Sequence, residues 1–405
     1  MTQDFSQTNW GAAKRFRLIL REQGNVREMG GGEDGSIAVG IVDNIMMNAL
    51  ETGTSDIHLQ PEREQLKIRY RQDGQLMDNG QLPTEQATNV LARLKLAAGM
   101  RIDENREPQD GRIDMEFMGR KLSARASCIP CLNGEKFVMR ILDPNAMRVD
   151  LTKLGMPEDV LAKWTRAIQV PYGLILVTGP TGSGKTSTLY ASLHQLDAKT
   201  RNIVTVEDPI EYEYEKNIAQ VQVTEKMGFP KVMRTFLRQD PDVMLVGEMR
   251  DEETFMTAIH AAETGHLVFG TIHASSAPST IGRILDLFPE EMHHAMRSAI
   301  AFNMKGIVAQ KLLKSIKPGV PRVPTCEIMT FNPMIKKLVL EGHDQKLPDA
   351  IRIGAADGMQ DFTMSLKQLI DDGLIDRPTA FEVAPNPDAL KMALKGINVS
   401  QPGIL

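Results

Sequence analysis

The spacing of apolar residues changes period several times along this chain, and each change marks an element. Val39, Val42, Met46 and Leu50 recur at helical spacing and stop near Gly53, which predicts an amphipathic helix. Leu66, Ile68 and Tyr70 then alternate with Lys67, Arg69 and Arg71 ahead of Asp73-Gly74, a strand running into a tight turn. Alternation returns at Ile113, Met115 and Phe117 and again at Phe137, Met139 and Ile141. Helices mixed with antiparallel strands predict a small α/β domain ending near residue 145. The pattern then changes to short apolar runs without alternation, at residues 174–177, 203–206, 243–246 and 267–272. Helical stretches separate them, as at Leu189, Leu193 and Leu196. Strands that are apolar on both sides argue for a parallel sheet with helices on both faces. Beyond Ser275 the spacing reads as helical, including residues 285–289 and 304–313, and Phe362, Leu366 and Leu369 form a further helix stopped by Gly373.

The ends of the chain are less patterned. A basic segment (Lys14, Arg15, Arg17, Arg21) suits one helix with a solvated face, and Gly30-Gly31-Gly32-Glu33-Asp34-Gly35 reads as a flexible linker. The closing Gln401-Pro402-Gly403 is irregular. At 405 residues the chain exceeds one ordinary core, so two or three domains are expected. A net charge of −5 and few aromatics argue against nucleic acid as a partner. The polar start and the lack of a long apolar run predict a cytoplasmic protein. Three cysteines make no disulfide framework. Cys128 and Cys131 have half the spacing of a zinc site, and with no second pair they read as strand-end residues.

Candidate chemistry centres on Gly179-Pro180-Thr181-Gly182-Ser183-Gly184-Lys185-Thr186, which follows the first apolar run and precedes a helix. This is the complete phosphate-loop pattern. Its glycines let backbone N–H groups turn toward an anion, and the helix that follows points its positive end at the same place. Lys185 is expected to reach the outer phosphates of ATP and Thr186 to ligate Mg²⁺. Ligands gather at the carboxyl ends of parallel strands, and there stand Glu207 and Asp208, Glu248, and His273 after the second, third and fourth runs. Such carboxylates hold magnesium through water or polarise an attacking water, although each can also cap the next helix, as Asp251 and Glu252 are expected to do. His260 reads as structural; His266 and His273 flank a strand and suit either a γ-phosphate or core partners. Arg112, Arg125 and Arg140 are ordinary solvated arginines or cations that face the nucleotide.

These motifs together resemble the hexameric ATPases of type II secretion and type IV pili, the GspE/PilB/PilT-like family. The likeness runs from about Ser36 nearly to the end in four ordered signatures. They are the phosphate loop, an acidic box at residues 204–211, a second nucleotide motif at 245–251, and a histidine box at 262–273. Arg238-Gln239-Asp240-Pro241-Asp242, Ser55-Asp56-Ile57-His58 and Pro108-Gln109-Asp110-Gly111-Arg112 also fit. The resemblance implies a RecA-like core at residues 169–330, preceded by a segment and linker (1–35), a small PAS-like α/β domain (36–147) and a linker (148–168), and followed by a helical C-terminal region (331–405). It implies Glu248 as the carboxylate that orients water, Glu207 as its helper, and His266 and His273 as couplers to subunit contacts. It makes Arg125 and Arg140 phosphate ligands from the first domain.

The implied function is ATP hydrolysis by a homohexamer that powers pilus assembly or secretion. The partner is an inner-membrane platform protein, so membrane contact is indirect and the chain docks at the inner face of the inner membrane. The first domain favours assembly or secretion, yet that branch's four-cysteine motif is absent from this sequence, while the 247–251 segment resembles retraction motors. Their C-terminal helix motif survives only in altered form at Met334-Ile335-Lys336-Lys337-Leu338. A RecA-like nucleic-acid translocase and a non-hydrolysing regulator are the rival classes.

Overall fold

The alternating segments pair into one sheet and the uninterrupted apolar runs into another. The computed structural model describes residues 3–4, 16–22, 25–29, 37–72, 75–142, 151–154, 156, 158–214, 217–224 and 226–397. Lys14, Arg15, the 30–35 linker, the Asp73-Gly74 turn and the 401–403 segment lie outside these residues. The chain divides into two units, Met1–Ala146 and Met147–Leu405.

In the first unit, β1 (Gln3–Asp4), β2 (Phe16–Glu22), β3 (Asn25–Met29), β4 (Asp56–Pro61), β5 (Gln65–Gln72), β6 (Gln75–Pro83), β7 (Gln109–Phe117), β8 (Arg120–Cys131) and β9 (Gly134–Leu142) form one sheet. Its order is β1-β6-β5-β4-β9-β8-β7-β2-β3. The apolar positions of the alternating strands, among them Ile57, Leu59, Ile68, Tyr70, Ile113 and Met139, pack against α1 (Ile37–Glu51) and α2 (Thr84–Ala97). The Tyr70 hydroxyl donates to Ile45 O at 2.6 Å, tying sheet to helix. One expectation fails here, because Arg17 and Arg21 lie on β2 rather than on a helix. Phe16 and Leu18 pair with Phe117 and Met115 and share their buried face, so a two-residue period decides the element.

The second unit holds β10 (Gly173–Thr178), β11 (Ile203–Glu207), β12 (Ile218–Gln222), β13 (Val243–Val246), β14 (Leu267–Ile272), β15 (Met304–Lys314) and β16 (Arg322–Thr330). Their order is β12-β11-β13-β14-β10-β15-β16, parallel except for the β15/β16 pair. Successive residues of each central strand enter different cores. Leu174, Leu176, Met244 and Val246 pack beneath α5 (Phe229–Phe236), α6 (Glu252–Glu263), α7 (Ala277–Leu285) and α8 (His293–Asn303). Ile175, Val177, Val243 and Leu245 pack beneath α3 (Glu158–Ile168) and α4 (Lys185–His194). This is the RecA-like arrangement expected from the sequence. Helices α9 (Pro333–Leu340), α10 (Leu347–Ile353), α11 (Phe362–Asp371), α12 (Arg377–Val383) and α13 (Pro387–Leu394) complete the unit.

Two expectations change. Residues 304–313 are a strand, not a helix: Ile307, Val308 and Ala309 are buried beside β10, where β-branched residues suit a pleated surface. The helix read as a linker packs Val160, Trp164 and Ile168 into the core, with Trp164 Nε1 donating to Ser192 Oγ on α4 at 2.8 Å.

Candidate active site

Strand β10 ends at Thr178, and the phosphate loop runs from there into α4. The turn needs glycine at two points. A Cβ on Gly179 would lie 2.3 Å from Gln310 O, and Gly184, the N-cap of α4, has φ 89°. Gln310 of β15 braces the loop from below. Its Nε2 donates to Ser183 O at 2.6 Å, and its Oε1 accepts from Thr188 Oγ1 at 3.0 Å. Among the described residues the buried Ser183 hydroxyl has no hydrogen-bond partner, and α4 has no acidic residue in its first turn. An unsatisfied donor and a bare helix start, framed by glycine, suit a phosphate. Lys185 Nζ meanwhile donates to Gly179 O at 2.9 Å and Pro180 O at 3.1 Å. Burial lowers its pKa, while the charge of Glu248 acts the other way.

Glu248 follows β13, where Gly247 N–H donates to Val206 O and Met249 N–H donates to Thr271 O. These two bonds clamp the segment between β11 and β14 and hold Glu248 near the loop. Its Oε2 accepts from Arg250 Nη2 at 2.5 Å, and its Oε1 lies 3.2 Å from His273 Nε2. Burial opposes ionisation of Glu248, but Arg250, His273 and Lys185 outweigh it and hold the carboxyl below its usual range. Glu248 thus carries its charge beside Lys185, Arg250 and His273. Thr186 lies in the first turn of α4, directly after Lys185.

The other candidates are placed differently. Glu207 is buried and accepts from the hydroxyls of Tyr190 and Thr205, the latter at 2.6 Å, and from Gln220 Nε2 at 3.3 Å. Burial raises its pKa despite those bonds. Tyr190 also packs on Tyr214 with ring centres 5.3 Å apart. Glu207 is therefore joined to a tyrosine cage, while the charge of the next residue, Asp208, is felt by Arg250. His266 precedes β14 and meets Ala261 O at 2.9 Å and the Thr264 hydroxyl at 3.0 Å. The six residues of β14 separate it from His273 by roughly 20 Å, so within one chain it does not join the loop. Gln310, Arg250 and the cage escaped the sequence reading. A lone glutamine in the apolar run 307–310 was the available signal for the first.

In the first unit, strand register places Arg112 beside Arg125, Arg125 beside Arg140, and Arg140 beside Asp56. Arg140 Nε donates to Asp56 Oδ1 at 2.8 Å. Aspartates accompany this row, since Arg112 Nε also lies 3.0 Å from Asp114 Oδ1.

The profile of the type II/IV secretion system protein family matches residues 32–340. The type II secretion system protein E of Xanthomonas campestris pv. campestris is 42% identical over 278 residues, covering 68% of this chain and 48% of its own length. The type IV pilus assembly ATPase PilB of Myxococcus xanthus is 37% identical over 394 residues, covering 95% of this chain and 65% of its own. The chain thus spans about half to two thirds of the length of these relatives. The crystal structure of the pilus retraction motor PilT with bound ADP superposes with a TM-score of 0.69 at 34% identity, covering 86% of this chain and 98% of that one.

Proposed function

The chain belongs to the type II/IV secretion system protein family, and on that premise we propose that it hydrolyses ATP to drive pilus assembly or type II-like secretion. The observation that carries this reading is the convergence of Lys185, Glu248 and His273 at one sheet edge beside a glycine-framed loop with an unsatisfied Ser183 hydroxyl. Lys185 leaves its own loop carbonyls for the phosphates and Glu248 orients the attacking water. His273 holds Glu248 in place. Magnesium, when bound through Thr186, neutralises phosphate charge as the bond breaks. By the family resemblance, Arg125 and Arg140 are further cations for the phosphates. Glu207 acts from behind, anchored to Tyr190, while the charge of Asp208, next along the chain, acts on Arg250.

The working form is a homohexamer in the cytoplasm, docked on a platform protein at the inner membrane. Among the described residues no helix is long and apolar enough to cross a membrane. Retraction is the second reading, favoured by the likeness to PilT over 86% of the chain. Purified protein should release phosphate from ATP, and Lys185→Ala should not; equal rates would remove the assignment. Deletion of the gene separates the two directions of force, since bald cells indicate assembly and abundant, static pili indicate retraction.

A further inference from the structure

The loop that carries His273 is fixed at both ends. At its start the Thr178 hydroxyl lies 2.8 Å from Ile272 O and 3.1 Å from Ala274 O. At its end Ser276 caps α7 in a reciprocal capping box with Ser279. The first N–H of that helix, from Ala277, donates to Glu327 Oε2 at 2.7 Å. Glu327 lies on β16 and is 6% exposed. The backbone N–H of Phe362, at the start of α11, lies near the same carboxyl and favours its charged form.

One buried side chain thus lies between two helix starts: it is bonded to α7, which continues from the His273 loop, and faces α11, which opens the last group of C-terminal helices. The charged groups around it are Lys311 of β15 and Asp361 ahead of α11. Lys311 Nζ donates to Val383 O at 2.8 Å and lies 4.8 Å from the Phe362 ring centre. Asp361 accepts from Met364 N–H at 2.8 Å and from Arg352 Nε at 3.2 Å. Both neighbours therefore have other partners, and the Ala277 N–H is what Glu327 holds, with the Phe362 N–H beside it. The same hairpin works on both sides of the site, since Gln310 of β15 braces the phosphate loop while Glu327 of β16 braces the opposite loop.

We propose that Glu327 is a positioning residue for hydrolysis, holding the Ala277 start of α7 beside the start of α11 so that His273 stays against Glu248 only while the C-terminal helices are docked. The inference rests on the reading of Lys185, Glu248 and His273 as an ATP-hydrolysing site. Because Gln310 braces the phosphate loop without Glu327, loss of Glu327 should slow turnover and leave nucleotide binding nearly intact.

The experiment is steady-state ATP turnover by the full chain and its variants. Glu327→Leu should lower kcat about tenfold or more, with KM for ATP within about twofold, because a buried donor loses its partner. Glu327→Gln, whose amide oxygen still accepts from Ala277, should recover most of that loss. In a His273→Ala background, Glu327→Leu should cost nothing further, since both changes disable one device. Ala277→Pro puts the question a second way should Glu327→Leu fail to fold. It deletes the donated N–H at the first helical position, where proline is tolerated, and it should lower kcat with the same dependence on His273. Losses that multiply in the double variants, a change confined to KM, or unaltered kcat in both Glu327→Leu and Ala277→Pro would overturn the inference. A wild-type chain that does not hydrolyse ATP would overturn the functional reading and this inference together.

Discussion

Lys185→Ala deletes the ammonium that rests on the Gly179 and Pro180 carbonyls, so it should abolish ATP binding, measured by calorimetry. Glu248→Gln keeps the size of the side chain and removes its charge. Nucleotide affinity should survive while turnover falls about 100-fold or more, the usual scale for losing a group that activates water; wild-type turnover would disqualify Glu248. Glu327 gives a pH-dependent expectation. Burial lifts its carboxyl from the ordinary 4.5 to about 7, so the folded chain favours the protonated form. That contribution to stability is complete below pH 4.5 and fades as pH rises through 7. By pH 8 ionising the group costs on the order of 3 kcal/mol. Glu327→Gln should therefore raise Tm at pH 8 and leave it nearly unchanged at pH 4.5, and an equal gain at both would point to another cause.

The phosphate loop was legible because its chemistry is local: eight consecutive residues specify the turn, the lysine and the helix start. The parallel sheet was legible because strands buried on both faces leave short apolar runs. Strand β15 was not, since a short apolar run fits a buried helix as well as a buried strand and only its neighbours decide. With β15 misread, Gln310 passed unnoticed, and the Tyr190–Glu207 contact depends on α4 meeting β11. Glu248 and His273 could be placed at strand ends, but their pairing required the order of β13 and β14 in the sheet. Gln310→Leu tests the brace beneath the loop. Leaving Ser183 O and the Thr188 hydroxyl without their partner should cost about 1–3 kcal/mol. KM for ATP should rise about tenfold, and a variant with wild-type KM and Tm would show that the loop holds its shape unaided.

Across the whole molecule, the described apolar cores respect the division into two units. The first-unit core draws on residues up to Met139, and every other core begins at or after Leu151. A fragment covering residues 147–405 should therefore fold and melt cooperatively by itself, whereas a broad, probe-dependent transition would show that it needs the first unit. The same separation explains why sequence patterning found two grammars without revealing how the units sit together. The C-terminal segment has a further role on the rim of the second sheet. Ile328 and Gln360 exchange both backbone bonds, at 2.8 and 3.0 Å, so the flank of β16 is partly closed by the chain's own later residues. Cutting the chain at residue 358 would strip that cover and leave Cys326, Ile328 and Met329 along an open strand, a template for stacking copies into fibres. The tail would then be a guard against edge-to-edge stacking of the second sheet.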